Sequence, residues 1–274
     1  MNQIPNSKFL IPYTLHLADN TLILAQRNSE WCGHGPVLEQ DIAITNISLD
    51  ILGQARNFYQ YAAELINQST HQLINLSTDQ PVNSTANPIT EDTLAYLRDS
   101  RDFKNCLLVE QPNGDWGKTI LRQFLFSNYQ YLLYQKLQDS NDERLAAIAE
   151  KALKEVTYHL RWSSEWVIRL GDGTEESHQR MINAVSELWP YVEELFINAD
   201  YETALLNDNI TVDVASLRQQ WNEKTGEVFS EAKLEMPQNI FAQKGGKRGI
   251  HTEKLGYILA ELQFMQRAYP NSVW

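Results

Sequence analysis

Glu155 and His159 are the residues whose types and spacing most directly offer chemistry. Four positions apart on a helix, they project from one face a single turn apart. An acid and an imidazole so placed hold either a metal ion or a buried hydrogen bond that fixes one imidazole tautomer. A carboxylate-bridged pair of iron ions needs more: a Glu from each of two helices and a Glu-x-x-His pair from each of two others, all pointing into a four-helix bundle. The literal Glu-x-x-His here is Glu175-Glu176-Ser177-His178, directly after the helix cap Thr174. Acids in a first turn face water and complement the helix dipole, so this match is read as a decoy. Asp19, between Leu15 and Leu22, and Asp50, in a polar stripe with Asn46 and Gln54, are the other inward acids. At the matching depth of a third helix stand Ser127 and Asn128, poor iron ligands. Asp19, Asp50, Glu155 and His159 fall two ligands and one His short of a di-iron set. They are expected to be vestiges of such a site, interior polar groups bonded to one another. Buried carboxylates without a metal need cationic partners, and Arg56, Arg122 and Arg161 are the candidates.

Three further signals carry less. His251 stands before Thr252 and Glu253 at a helix start, where capping is its expected role. The loop Lys244–Gly249 combines glycines with Lys244, Lys247 and Arg248, a composition suited to a phosphate-bearing ligand or an acidic partner, with a solvated loop as the default. Trp31-Cys32-Gly33-His34-Gly35-Pro36 has too many bulky and special residues for an arbitrary linker and reads as a tightly packed turn or a docking surface. Cys32 and Cys106 are too few for a disulfide framework and lack metal-site spacing; both are expected to be reduced thiols.

The elements that must position these residues are helices. Pro12 suits the first turn of a helix carrying Leu15, Ala18, Leu22 and Ala25 on one face and ending at Asn28-Ser29. From Val37 to about Ile66 a second helix is apolar around most of its circumference, with Leu38, Ile42, Leu49 and Leu52 on one side and Ile44, Ile47, Ile51 and Phe58 on another. That pattern places it at the centre of a bundle. Asn67–Pro88 is polar and aperiodic and reads as a surface loop or disordered insertion, a polar segment near 67–90. A short helix is expected around Glu91–Val109, then two long ones over about Gly117–Leu137 and Asp142–Leu170, antiparallel across the break Asp139-Ser140-Asn141. Leu145, Ala149, Ala152, Val156, His159, Ser163 and Trp166 mark the inward seam of the last of these. Thr174 caps a helix running to about Phe196 with a kink at Pro190; a short helix near Val214–Glu223 and a final one over Thr252–Arg267 complete the set. No strand-period pattern competes, so the class is all-α.

A chain of 274 residues with 43% hydrophobic side chains buries a sizeable core and is expected to form one domain over 1–274. The formal net charge of −12 argues against nucleic acid and against an anionic membrane surface. Met1–Pro12 lacks the pattern of a leader, and no apolar run is long enough to span a bilayer, so a cytoplasmic location is expected.

Several stretches, in order along the chain, resemble the C-subunit family of the bacterial ring-1,2-phenylacetyl-CoA epoxidases. They are Ser29-Glu30-Trp31-Cys32-Gly33-His34-Gly35-Pro36, Asn46–Asn57 with its Leu49-Asp50-Ile51-Leu52-Gly53-Gln54-Ala55-Arg56 core, Leu108–Gly114, Lys154–Arg161 and Gly245–Glu253. The resemblance implies a ferritin-like four-helix bundle with additional helices. It implies a structural, non-catalytic subunit that supports a catalytic A subunit in aerobic phenylacetate breakdown, with no metal or cofactor of its own. The di-iron site would lie in the A subunit, and a reductase subunit with flavin and iron–sulfur centres would supply electrons from NADPH. Heteromers with A, and a homodimer when alone, are the assemblies it implies. Trp162, Trp166, Trp189 and Trp221 are candidate interface anchors. Two rivals stay open: a metal-dependent oxygenase in its own right, binding iron or manganese through Glu155, His159, Asp19 and Asp50, and a regulatory module that takes phenylacetyl-CoA through the Lys244–Gly249 loop.

Overall fold

The computed structural model describes residues 7–77, 88–270 and 272, and among them every regular element is helical. Four long helices dominate: α1 (Ser7–Ser29), α2 (Leu38–Ser77), α5 (Trp116–Leu137) and α6 (Glu143–Gly171). Between and after them lie α3 (Glu91–Tyr96), α4 (Leu107–Glu110), α7 (Glu175–Leu188), α8 (Asp200–Leu205), α9 (Arg218–Glu231), α10 (Glu253–Leu262) and α11 (Phe264–Ala268). The helix starts follow the local sequence: Asp115, Asp142 and Thr174 each accept a backbone N–H from three residues on, capping α5, α6 and α7. The α-helix expected to run kinked to about Phe196 instead stops at Leu188, before Pro190, and the chain continues as two 3₁₀ turns, Trp189–Tyr191 and Glu193–Phe196.

The long helices pack as two extensive pairs, α1 on α2 and α5 on α6, joined where α2 meets α6. Side-chain bonds give the register of that junction. Trp162 Nε1 donates to Gln40 Oε1 (3.2 Å), Gln54 Nε2 to Glu155 Oε2 (2.9 Å) and Tyr61 Oη to Asp142 Oδ2 (2.5 Å), so numbers rise on one helix as they fall on the other. The two helices are antiparallel. The seam expected for α6 is inward: Leu145, Ala149, Ala152, Val156, His159 and Ser163 are buried, and Trp166 is half-buried.

Three further expectations are corrected. First, α2 does not stop near Ile66 but continues to Ser77, so residues 67–77 are helix rather than loop; 78–87 lie outside the described residues. Asn67 itself anchors the returning chain, exchanging hydrogen bonds with the Ile89 carbonyl (2.8 Å) and amide (3.0 Å). Second, α2 is not enclosed. Ile44, Ile47, Ile51 and Phe58 are fully buried, but Leu38, Ile42, Leu49 and Leu52 are between 44% and 71% exposed. Two helix layers cover one side of α2, and its second apolar row is left to solvent. Third, Glu91–Val109 is not one helix: α3, a 3₁₀ turn at Ser100–Asp102 and α4 are separated by an extended stretch over 103–106. The backbone there is claimed by side chains of α1, a competitor no helical periodicity reveals.

Glycines show where elements are forced close. A Cβ on Gly171, at the end of α6, would stand 2.4 Å from the Ala232 carbonyl that follows α9. Gly53, on the exposed side of α2, has nothing within 4 Å of where its Cβ would be. The Gly171→Ala variant should therefore lose about 1–3 kcal/mol of stability through overpacking. The Gly53→Ala variant should gain about 0.5–1 kcal/mol as a better helix former. Chemical denaturation of both reads the opposite signs, and equal behaviour would contradict the packing described.

Candidate functional site

Asp19 is fully buried on α1, and its two oxygens are taken. Tyr59 Oη of α2 donates to Oδ1 at 2.6 Å, the Lys104 amide donates to Oδ2 at 2.8 Å, and the Arg98 guanidinium spans both oxygens, its Nη1 standing 3.2 Å from Oδ2. Arg98 also lies over the Phe103 ring, 4.2 Å from its centroid, and donates to the Leu94 and Asp102 carbonyls. Burial works against its charge, yet Asp19 and Tyr59 hold its pKa above the ordinary arginine value. Burial and then Asp19 keep Tyr59 protonated. The cation for Asp19 is thus Arg98, which sequence reasoning passes over because it reads the surrounding segment as helix. The three arginines expected in that role go elsewhere. Arg56 pairs with Glu91 at the surface (3.4 Å), Arg161 lies over the Tyr158 ring, and Arg122 donates to the Gln111 carbonyl (2.5 Å) and to the amide oxygens of Asn113 (2.5 Å) and Asn28 (3.3 Å). Burial and then Arg27 push Arg122 down to about 9, which leaves it protonated at neutral pH.

The remaining candidates divide into two groups on the α2–α6 face. His159 is fully buried and its Nε2 meets Asp50 Oδ2 at 3.0 Å, while Asp50 keeps 40% of its side-chain surface open to solvent. The Nδ1 of His159 has no hydrogen-bond partner among the described residues. Glu155 instead accepts from Gln54, whose own oxygen faces Gln130 Nε2 (3.4 Å) and Tyr134 Oη (3.5 Å) of α5. Ser127 and Asn128 belong to the packing of α5, Ser127 accepting from Gln123 and Asn128 donating to the Trp221 carbonyl and Thr225. Among the described residues, no three His, Cys, Asp or Glu side chains gather closely enough to hold one ion. The acids and imidazole that spacing singles out therefore do not fit a di-iron set. Asp50 and His159 are brought together, and Asp19 and Glu155 are each committed elsewhere.

Two buried carboxylate clusters carry no clear sequence signal. Glu110 accepts from His251 Nδ1 (2.8 Å), Asn105 Nδ2 (2.9 Å) and both the amide and hydroxyl of Thr252 (2.8 Å each). With Nε2 facing the Phe103 carbonyl at 2.9 Å, both His251 nitrogens meet acceptors, an arrangement that demands imidazolium. Burial opposes that charge, but Glu110 and the carbonyl outweigh it and raise the pKa above the ordinary value. Capping of α10 falls to Thr252 instead of His251. In the second cluster, Lys247 Nζ donates to both Glu202 oxygens (3.1 and 3.0 Å) and to the Ile197 carbonyl (2.9 Å), and Glu194 accepts the amides of Leu107 and Gly245 (2.7 Å each). Lys247, grouped from sequence with Lys244 and Arg248 as one basic loop, is buried, whereas the other two are exposed. His16 Nδ1 donates to the Lys104 carbonyl at 2.7 Å and Nε2 accepts from Asn20. Burial first and Lys247 second push His16 down to about 4, so at 3.9 Å from Glu202 it is a neutral neighbour and not an ion pair. The Trp31–Pro36 turn is held by Asp41, which accepts from the Gly35 (2.9 Å) and Gly33 (3.1 Å) amides, and these bonds lower its pKa.

A helical bundle with a buried polar interior, two antiparallel helix pairs and added peripheral helices is a ferritin-like protein. Within that class, the chain belongs to the phenylacetic acid catabolic protein family, whose model matches residues 2–274. It is 46% identical over 265 residues to the C subunit of the 1,2-phenylacetyl-CoA epoxidase of Escherichia coli (strain K12), an alignment covering 97% of this chain and 99% of that protein. No helix among the described residues is long and apolar enough to cross a membrane.

The Asp19–Arg98 pair and the neutral His16 can each be tested by stability. Asp19→Ala leaves Arg98 with 12% of its side chain exposed and no acid at its fork, and should cost about 3–5 kcal/mol. Adding Arg98→Met should recover much of that loss; a double variant no better than the single one would refute the pairing. His16 takes up a proton in the unfolded chain near pH 6.5 but in the folded chain only near 4, so its contribution is complete above 6.5 and is lost as pH falls toward 4. Over that window stability should fall by about 3 kcal/mol on this account, and the His16→Gln variant should show a correspondingly flatter acid limb in denaturation measured at a series of pH values.

Proposed function

We propose that this protein is the structural, non-catalytic subunit of a 1,2-phenylacetyl-CoA epoxidase, acting in the cytoplasm in aerobic phenylacetate breakdown. In this reading the di-iron centre belongs to a catalytic A subunit, electrons come from NADPH through a reductase with flavin and iron–sulfur centres, and this chain holds no cofactor. The observation that carries the reading is the commitment of the bundle's inward acids to protein partners: Asp19 to Arg98, Tyr59 and Lys104, and Glu155 to Gln54, with Gln130 and Tyr134 completing the junction of α2, α5 and α6. A guanidinium seated on a carboxylate occupies the place a metal cation would take. The 46% identity to the C subunit of the Escherichia coli epoxidase supports the same role.

A support subunit needs a surface for its partner. Trp162 and Trp221 are buried within the chain and Trp166 and Trp189 are half-buried, so the anchors expected among the tryptophans are mostly spent on the chain's own packing. The exposed row Leu38, Ile42, Leu49 and Leu52 on α2 remains, with Val37 beside it at 52% exposure. From Leu38 to Leu52 it runs about 21 Å along the helix, an apolar row of the kind that marks protein contact. In this reading that row meets the A subunit, and two copies of this chain pair when A is absent.

A second reading, an oxygenase using Glu155 and His159, has one observation in its favour: the buried Nδ1 of His159 lacks a hydrogen-bond partner among the described residues. Iron analysis and the near-ultraviolet spectrum of the purified chain separate the two. The support role expects no stoichiometric metal; two iron ions per chain with an oxo-bridge band would overturn it. Coexpressed with the catalytic subunit, the chain should co-elute with it, and Leu49→Glu with Leu52→Glu should abolish co-elution while leaving the circular dichroism melt near that of the parent. Unchanged co-elution would move the interface off α2, and no association of the parent chain at micromolar concentration would refute the support role.

A further inference from the structure

Arg101 and Arg248 are the two arginines of this chain whose guanidinium groups make no ion pair, hydrogen bond or aromatic contact among the described residues. Every other arginine is paired with an acid, laid over an aromatic ring or, as Arg122 is, bonded to oxygens. The two exceptions line the same cleft, a space of about 550 Å³ between the Ser100–Asp102 turn and the start of α10. In a chain of net charge −12, two arginines without an acid partner among the described residues, both lining one cavity, are a local reversal of sign.

The backbone that carries them is fixed. Gly249, at φ +79, packs so closely on the other segment that a Cβ would stand 2.2 Å from the Arg101 carbonyl oxygen. On either side of Arg248 the chain is pinned by buried charge, Lys247 to Glu202 before it and His251 to Glu110 after it, and the Gly245 amide is held by Glu194. Asp102 beside Arg101 accepts the Asp99 amide at 3.1 Å. Glu253 also lines the cleft, but Lys254 Nζ stands 2.7 Å from its carboxylate and offsets it. A second groove of about 510 Å³ shares Ser100 and Gly256 with the first and is bordered by Leu259, Ala260 and Phe264.

We infer that this cleft binds the phosphate group of a small organic phosphate, with Arg101 and Arg248 as the two forks and the adjoining groove accommodating an apolar portion of the ligand. Guanidinium groups match phosphate oxygens bidentately, and mounting them on anchored backbone removes part of the ordering cost of binding. The inference stands whether or not the chain supports a catalytic partner, because its residues and its readout belong to this chain alone.

Calorimetric titration of the full chain with inorganic pyrophosphate, and with phenyl phosphate against inorganic phosphate, tests it. Pyrophosphate should bind saturably at one site, more weakly as salt is raised, and phenyl phosphate should bind more tightly than inorganic phosphate. The Arg101→Gln/Arg248→Gln double variant should weaken binding by roughly tenfold or more, while Arg161→Gln, an exposed arginine away from the cleft, should leave it unchanged. Absence of saturable binding, or equal binding by the double variant, would overturn the assignment. So would an acidic peptide that displaces pyrophosphate at lower concentration than the organic phosphate does, since that outcome makes the cleft a protein contact.

Discussion

The carboxylate of Asp19 is the interaction on which the arrangement of this bundle rests. It lies fully buried on α1 and draws in a hydroxyl from α2, an amide from the extended stretch over 103–106 and a guanidinium from just beyond α3. An acid removed from water is tolerated only when its charge and lone pairs are satisfied, so the position of each donor is constrained by the others. His16 and Asn20, on the same helix, continue the pattern: His16 binds the Lys104 carbonyl and Asn20 accepts the Cys106 amide at 2.8 Å. A stretch of backbone with no sheet partner is thereby laid along α1 and satisfied by side chains. The 103–106 stretch can be neither helix nor free loop while those bonds hold.

How far the sequence reveals this depends on the range of the interaction that decides each element. The long helices, the caps of α5, α6 and α7 and the inward seam of α6 follow from periodicity and from single residues such as Asp115, Asp142 and Thr174, all local signals. The division of Glu91–Val109 does not, because it is decided by α1 side chains some eighty residues distant in sequence, such as Asp19 facing Lys104. Polar composition hides the extension of α2 through residues 67–77, since a segment rich in Ser, Thr, Asn and Gln offers no apolar stripe by which to read a helix. At the site, spacing places His159 on the buried seam and Asp19 inside, as the structure does. The partner identities are not legible, since Arg98, Gln54 and Asp50 reach their acids or imidazole across helices.

Three of the four buried acids among the described residues share one solution. Asp19 has Arg98, Glu110 has His251 and Glu202 has Lys247, each pair drawn from segments distant in sequence. Glu194 is held by two backbone amides alone. Breaking such a pair is costly even where the intact pair adds little net stability, because the survivor is left charged and desolvated. The network therefore acts mainly on specificity of arrangement: it admits one placement of the 103–106 stretch and one of the Gly245–His251 loop. His16 and His251 give that network opposite responses to acid. The His251–Glu110 contribution is full in acid and fades as pH rises through the raised His251 value, whereas the neutral His16 is destabilising once the unfolded chain begins to take up protons.

The same cations decide what the interior can hold. For an ion to bind at Asp19, Arg98 would have to leave a carboxylate it spans and a ring it covers, and Tyr59 and the Lys104 amide would each lose an acceptor within a closed core. Glu155 is less constrained, since its hydrogen-bond partner among the described residues is the neutral amide of Gln54, and Asp50 is open to solvent at 40% of its side-chain surface. Capacity for a cation thus falls from the α2–α6 face toward α1, whereas a di-iron set draws ligands from all four helices. What the arrangement retains is rigidity in the helix pairs and an apolar row on α2 facing outward. The rigidity rests in part on the buried ionic contacts, Asp19 with Arg98 foremost, because each fixes segments distant in sequence against one another.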